Sequence, residues 1–400
     1  MDVPPAASQT SHDRPPAISR DTVRARQSRA QALAATAGYD ALLVVGRSFY
    51  DRPGDLAYLS NHFPPFPTTV FSDQNRGMGH AFLLLPVVGA PILLTDPRRH
   101  RADLVAVDDI RAAADLGAAT VALVRERGLA RARVGLVGDD ILPAAFDRYF
   151  RAELPDLRLD AEPNIVAGLR RHKSAEEIAL LREAARCADA GLVAAVAAIN
   201  EPGATERTVC AAGIAAAMLA GADFVRYFRV HSGPWSAAGS RWPQAMDRPI
   251  GDGEIVALDA IGAYQGYGFD VNRTTVRSDP DPDQRRLLEA VLDATERAVA
   301  ACLPGATVGA VAAGAHAVLA EHGFADHAGS MIGHGIGLET VELPYLQLTG
   351  TEVLTSGMSL CVEPGVFVPG WAGAAIEQEV VIADHGPPEV ITPTPTRLWS

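Results

Sequence analysis

The stretch Gly253–Val276, GEIVALDAIGAYQGYGFDVNRTTV, constrains this chain more than any other. Two apolar runs, Ile255–Leu258 and the residues about Phe269, each end on a carboxylate, Asp259 and Asp270. A Gly/Tyr/Gln segment, AIGAYQGYG, lies between them. Short apolar runs with glycine punctuation predict a β-hairpin. An unpaired carboxylate in a buried strand is costly. Two Asp at facing strand positions therefore predict a cation between them, and a divalent metal is the simplest. Asp is also common beside turns, so this stretch alone leaves open a pair of ordinary strand-end residues.

The rest of the chain narrows the choice. Its 400 residues predict two domains. A hydrophobic fraction of 48% is that of a globular protein. The net charge of −13 argues against nucleic acid or an anionic membrane as partner. Cys187, Cys210, Cys302 and Cys361 include no pair spaced as a zinc knuckle or redox dithiol, which predicts structural thiols in a reducing compartment. Cys361 stands two residues before Glu363. The opening residues, MDVPPAASQTSHDRPPAIS, have neither a basic start nor an apolar core and read as a disordered tail over residues 1–18, not as a signal peptide. With no apolar run of membrane-span length, a cytoplasmic location is the expectation.

Along the chain, a helical period over Arg20–Gly38 precedes an apolar strand, Ala41–Val45. Ala81–Leu85, Pro91–Thr95, Leu104–Val107 and Val134–Val137 read as further strands, with a helix over Ala112–Arg127. This alternation predicts an α/β domain over residues 19–163. No glycine-rich phosphate loop is present to support nucleotide binding. Beyond it, Ser174 and Glu177 make a capping box for a long helix, Ala175–Ile199. Helices from Thr205 to about Gly221, over Pro282–Ala301 and over Val308–Gly323 follow, and residues 330–392 read as strands and loops.

That final block supplies three more donors: His334 in GHGIG, Glu363 in SLCVEP and Glu377 in AAIEQEVV. Two Asp, one His and two Glu, each in or beside a strand-like run, suit a pair of divalent ions such as Mn²⁺, Co²⁺, Fe²⁺ or Zn²⁺. Such ions bring the pKa of bound water toward neutrality. The chain from about residue 165 resembles the pita-bread metallopeptidases, which include methionine aminopeptidase, aminopeptidase P, prolidase and creatinase. LDAIGAYQGYGFDVNRT, GHGIG, EPGVF and IEQEVVI match the family's motifs in order, and LRRHK with KSAEEIALLREAARCAD matches its entry helix.

The resemblance implies a creatinase/prolidase-type N-terminal α/β domain followed by a pita-bread α+β catalytic domain over residues 164–400, in a homodimer. It implies two divalent ions per chain, manganese first, with Zn, Co or Fe as alternatives. Asp259 would hold one ion, Asp270 and Glu377 would bridge the pair, and His334 and Glu363 would complete the ligand set of the other ion. Glu363 would also handle the proton of the bridging water. Arg273 matches a family arginine near the metal, as a substrate contact or a structural ion pair.

Two family histidines are absent. The positions seventeen residues before Asp259 and seven after His334 are Trp242 and Val341, and valine neither donates a hydrogen bond nor carries a proton. Removing one transition-state donor typically costs about 10²–10³ in rate. His231, beside the matching Ser-Gly-Pro, is the candidate replacement, catalytic or substrate-binding, with Trp242 and Val341 lining the same substrate region. The expected activity is hydrolysis of an amide or imide bond in a small, peptide-like substrate, as in Xaa-Pro aminopeptidase or prolidase. The alternatives are a C–N hydrolase or lyase acting on a non-peptide small molecule, and a catalytically silent binding protein.

Overall fold

The computed structural model describes residues 17–66, 76–98, 100–239 and 242–400. Most of the tail expected over residues 1–18, residues 1–16, lies outside them.

The first unit consists of α1 (Arg20–Thr36), β1 (Ala41–Arg47), α2 (Gly54–Ser60), β2 (His80–Pro86), β3 (Ile92–Thr95), β4 (Asp109–Ala112), α3 (Leu116–Glu126), β5 (Arg133–Val137), α4 (Ala144–Glu153) and β6 (Arg158–Ala161). Its strands form one mixed sheet, order β4-β3-β2-β1-β5-β6. β1 and β2 are covered on both faces. Leu42 and Val44 pack with Ala30 and Ala34 of α1, while Leu43 and Val45 pack with Phe82, Leu84 and Phe146. A strand buried on both faces reads as a continuous apolar run, which is why ALLVV shows no alternation.

Two expectations here are corrected. Leu104–Val107 is not a strand. Val105, Ala106 and Val107 are buried, but the Ala106 amide donates to Ser60 O and its carbonyl accepts from Gln27 Nε2, so α1 and α2 take the groups a ladder would need. The fourth strand comes afterwards, over Asp109–Ala112, and the helix expected from Ala112 starts at Leu116, where Asp115 caps it by accepting from Ala118 N.

The second unit follows α5 (Ile165–Arg170) with α6 (Ala175–Ile199), α7 (Glu206–Leu219), β7 (Phe224–Ser232), β8 (Ile255–Tyr264), β9 (Tyr267–Val276), α8 (Pro282–Ala301), α9 (Val308–Glu321), β10 (Met331–Gly335), β11 (Glu342–Gln347), β12 (Ser359–Val362), β13 (Gly365–Val368), β14 (Ala372–Ala375), β15 (Gln378–Val381) and β16 (Glu389–Val390). The sheet β7-β8-β9 packs on α6 and α7, and the sheet β11-β10-β12-β15-β16 packs on α8 and α9. The capping box of Ser174 and Glu177 is formed. Among the described residues, no helix is long and apolar enough to cross a membrane.

Strand parity decides what points inward. In β8, Val256, Leu258 and Ala260 pack toward α6 and α7, and in β9 so do Phe269 and Val271. Successive side chains alternate faces, so Asp259, Asp270 and Asn272 point the other way. In the second sheet, Leu360, Val362 and Val380 face α8 and α9, leaving Cys361 and Glu379 on the inner face.

Buried ion pairs join the two units. Arg26 of α1 lies 3.0 Å from Glu177, which also accepts from Tyr267 at the hairpin end. Arg170, which also pairs with Glu342, reaches Asp55 of α2 at 2.6 Å, and Gly54 N donates to Glu339 at 2.6 Å.

Candidate metal centre

The β8–β9 hairpin closes through Gln265-Gly266, with φ of 47° and 80°. Both values lie in the left-handed region that a two-residue hairpin turn requires. The turn is thus shorter than the segment AIGAYQGYG, and both strands are ten residues long. Asp259 and Asp270 accordingly lie within strands rather than at their ends, and they do not face one another directly. Asp259 pairs with Asn272 and Asp270 with Ile261, a diagonal relation on one face that still lets long or charged side chains meet.

The inner face of the second sheet brings the other donors to them. β10 and β12 pair His334 with Cys361, and β12 and β15 pair Cys361 with Glu379. Glycine makes this approach possible. A Cβ on Gly333, whose φ is +153°, would stand 2.1 Å from the Cys361 carbonyl oxygen. One on Gly335 would stand 2.5 Å from Leu343 O. The glycines of GHGIG are therefore required by close backbone contact on either side of His334.

Donor atoms of Asp259, Asp270 and Glu377 lie within 4.8 Å of one another, as do those of His334, Cys361 and Glu377. His334 Nε2 lies 3.4 Å from Glu363 Oε1 and 3.7 Å from Asp270 Oδ2. Its Nδ1 is 2.9 Å from Gly335 O. A donor proton there leaves Nε2 with its lone pair toward the carboxylates, the tautomer a metal ligand needs.

The electrostatics describe a site built for positive charge. Burial first, then Asp259, Glu363 and Glu379, push Asp270 well above the usual carboxylate range. Burial, Asp270, Glu363 and Asp259 do the same to Glu377. Asp259 is raised by burial, against the opposing pull of Arg229. Both oxygens of the fully buried Glu377 lack a hydrogen-bond partner, as does Asn272 Oδ1. Buried polar atoms are normally satisfied. Two orphan oxygens on one carboxylate, among other carboxylates and an imidazole lone pair, fit divalent cations, whose charge reverses the local ionisation balance.

The remaining expected residues stand apart from this cluster. Arg273 is fully buried and braces the fold. Its guanidinium donates to Pro395 O, Asn272 O, Glu377 O, Thr394 O and Gln378 Oε1. These contacts tie β9 to β15 and the C-terminal segment, and they are neither a carboxylate ion pair nor a surface offered to substrate. His231 is 1% exposed and shares the Asp259 face of the sheet, but its Nε2 is engaged with Pro243 O at 2.9 Å. Burial lowers its pKa. Trp242 is 86% exposed. Val341 is 47% exposed and lines a cavity of about 200 Å³ with Arg52, Asp55 and Glu339, between the two units.

Three buried residues beside the carboxylates escaped sequence reasoning: Arg229, Glu379 and Cys361 as a donor. Arg229 Nη2 approaches Asp259 at 3.6 Å. Glu379 accepts from the Asp270 amide at 2.8 Å, and burial raises it to about 8. A charged residue inside an apolar run, as in FRV and QEVV, is the same signal that singled out the two Asp.

Fold and donor set together describe a pita-bread metallopeptidase scaffold behind an α/β N-terminal unit. Residues 179–384 match the model of metallopeptidase family M24, and the chain belongs to that family. Over 225 residues it is 33% identical to the Xaa-Pro dipeptidase of Pyrococcus furiosus, covering 56% of this chain and 64% of that protein. Over 235 residues it is 37% identical to the probable dipeptidase PepE of Mycobacterium tuberculosis, covering 58% and 60%. The matches thus span less than two thirds of these relatives' length. The fold is similar to the crystal structure of the prolidase from Pyrococcus horikoshii (TM-score 0.81, 23% identity, 94% of this chain and 99% of that one). It is also similar to that of dipeptidase PepE from Mycobacterium ulcerans (TM-score 0.80, 28% identity, 96% and 98%).

Proposed function

We propose that the chain is a metal-dependent hydrolase of an amide or imide bond in a small, peptide-like substrate, of the Xaa-Pro dipeptidase type. The observation that carries this reading is Glu377, fully buried with both oxygens unpartnered, where the Asp259–Asp270 pair and the His334 side meet. Names borne by the relatives, Xaa-Pro dipeptidase and probable dipeptidase, support the substrate class. The division of the chain at residues 163–164 belongs to the same proposal, since β6 ends at Ala161 and α5 begins at Ile165.

Two divalent ions, drawn from Mn²⁺, Zn²⁺, Co²⁺ and Fe²⁺, would supply Lewis-acid polarisation of a carbonyl and a more acidic water. Asp259 would hold one, Asp270 and Glu377 would be shared, and His334 and Glu363 would hold the other. The chain does the rest. The Gly335 carbonyl fixes the His334 tautomer. Glu363, 26% exposed where its neighbours in the cluster are buried, is placed to pass protons between site and solvent.

A second reading, a C–N hydrolase or lyase acting on a non-peptide substrate, is favoured by Trp242 and Val341, exposed where the resemblance implies imidazoles. Release of proline from Xaa-Pro dipeptides and tripeptides, with Mn²⁺ added and His334→Ala as the blank, separates the two. Turnover above the blank supports the peptidase. Metal-loaded protein without turnover overturns it in favour of the second reading.

A further inference from the structure

Cys361 is fully buried, and its Sγ lies 3.8 Å from the Asp270 carbonyl oxygen. It is held on the inner face by pairing on both sides, with His334 of β10 and Glu379 of β15. Its Sγ belongs to the group with His334 and Glu377 whose donor atoms lie within 4.8 Å of one another. The second observation is independent of the thiol: both oxygens of Glu377 in that same group are buried and unpartnered.

We propose that Cys361 is a thiolate ligand on the His334 side of the centre, so that this position takes a borderline-soft ion, zinc or cobalt, in preference to manganese. This rests on the metal-centre reading above and specifies its donor set. Four donors, Cys361 Sγ, His334 Nε2, Glu377 and Glu363, make an S/N/O₂ set. Three of them already lie within 4.8 Å of one another, Glu363 Oε1 is 3.4 Å from His334 Nε2, and a mixed sulfur, nitrogen and oxygen set of this kind suits zinc. Thiolate ligands select against manganese, which prefers carboxylate, carbonyl and water oxygen. The Asp259 side has oxygen donors only, so the two positions differ in softness. On binding, the Cys361 thiol gives up its proton and sulfur forms the bond to the ion. Glu363, the partly exposed donor, is the route by which that proton reaches solvent. The ordinary alternative is a small buried hydrophobe.

The test is a cobalt titration of the full-length, metal-stripped protein, followed in the near ultraviolet for a thiolate-to-cobalt charge-transfer band. The band is expected in the unaltered protein and absent in Cys361→Ser. Competition between Zn²⁺ and Mn²⁺ should move about tenfold or more toward manganese in Cys361→Ser, the size of change a single ligand-shell alteration produces. Cobalt-loaded protein with no such band overturns the inference even if the variant fails to fold, because the band is read on the unaltered chain. If that protein still releases proline, this inference falls alone. Failure to take up any divalent ion overturns the metal-centre reading with it.

Discussion

Arg229 Nη2 lies 3.6 Å from Asp259 Oδ2, with 2% and 7% of the two side chains exposed. The guanidinium sits on β7 directly across from Asp259, and its Nε has no hydrogen-bond partner. Among the described residues it is the one arginine within ion-pair distance of a carboxylate of the cluster. Truncating one partner of a buried pair costs about 3–5 kcal/mol, because the other charge is left uncompensated. Arg229→Met should lose about that much stability when metal-free. Divalent ions should restore more stability to the variant than to the unaltered protein. Denaturant unfolding with and without Mn²⁺ measures both, and equal midpoints for the two metal-free proteins would remove the compensating role.

Glu377→Gln should separate binding from folding. Without metal, burial and then Asp270 push this carboxyl well above its usual range, toward the neutral acid. An amide with unmatched hydrogen bonds replaces an acid with unmatched hydrogen bonds, so metal-free stability should change by no more than about 1 kcal/mol. Divalent-metal content, read by mass spectrometry of the purified protein, should fall sharply. A variant with full metal content would show that Glu377 is not a donor.

Gly333→Ala tests the backbone contact beside His334. The added Cβ would meet the Cys361 carbonyl oxygen at 2.1 Å, and neither backbone segment can yield without moving the β10–β12 pairing. The positive φ adds strain for any residue with a Cβ. The variant should lose more than about 2 kcal/mol of stability and most of its metal binding. A neutral substitution would mean that the ladder beside His334 yields easily.

Glu339 and Glu342 give opposite pH signatures. Burial raises Glu339 to about 7, against opposing pulls from Arg170, the Gly54 amide and Arg52. The folded state therefore holds a proton that the unfolded chain has released near 4.5. Stability should fall as pH rises from about 4.5 to 7, by about 3 kcal/mol at roughly 1.4 kcal/mol per unit. For Glu342, burial pushes upward, but Arg170 and Lys173 outweigh it and bring the carboxyl to about 2. Its contribution is present above 4.5 and is lost as pH falls toward 2. Glu339→Gln should flatten the slope between pH 4.5 and 7 and leave the acid limb intact, while Glu342→Gln should do the reverse. Unfolding free energies across pH 3–8 would reveal a common response instead, if the two act as one group.

Much of the site was legible because its chemistry leaves marks in local sequence. Asp259, Asp270, His334 and Glu377 each interrupt apolar or glycine-rich runs where a charge or imidazole needs a reason. The helix start at Ser174 was legible from its cap, and the first-unit strands from unbroken apolar runs. Residues 104–107 misled because burial against α1 and α2 looks in sequence like burial in a sheet. Arg229 and Glu379 carried the same mark as the two Asp, but nothing in the sequence says which strand each would face.

The sequence by itself determined the hairpin, the order of the donors and the alternation that puts Asp259 and Asp270 opposite the helix-packed face, because these depend on spacing within one element. Tertiary structure alone decided that Arg273 spends its guanidinium on carbonyls, that His231 is engaged by Pro243, and that Cys361 stands between His334 and Glu379. Those facts depend on register between strands far apart in the chain. A shift of one residue would turn each of those side chains to the opposite face.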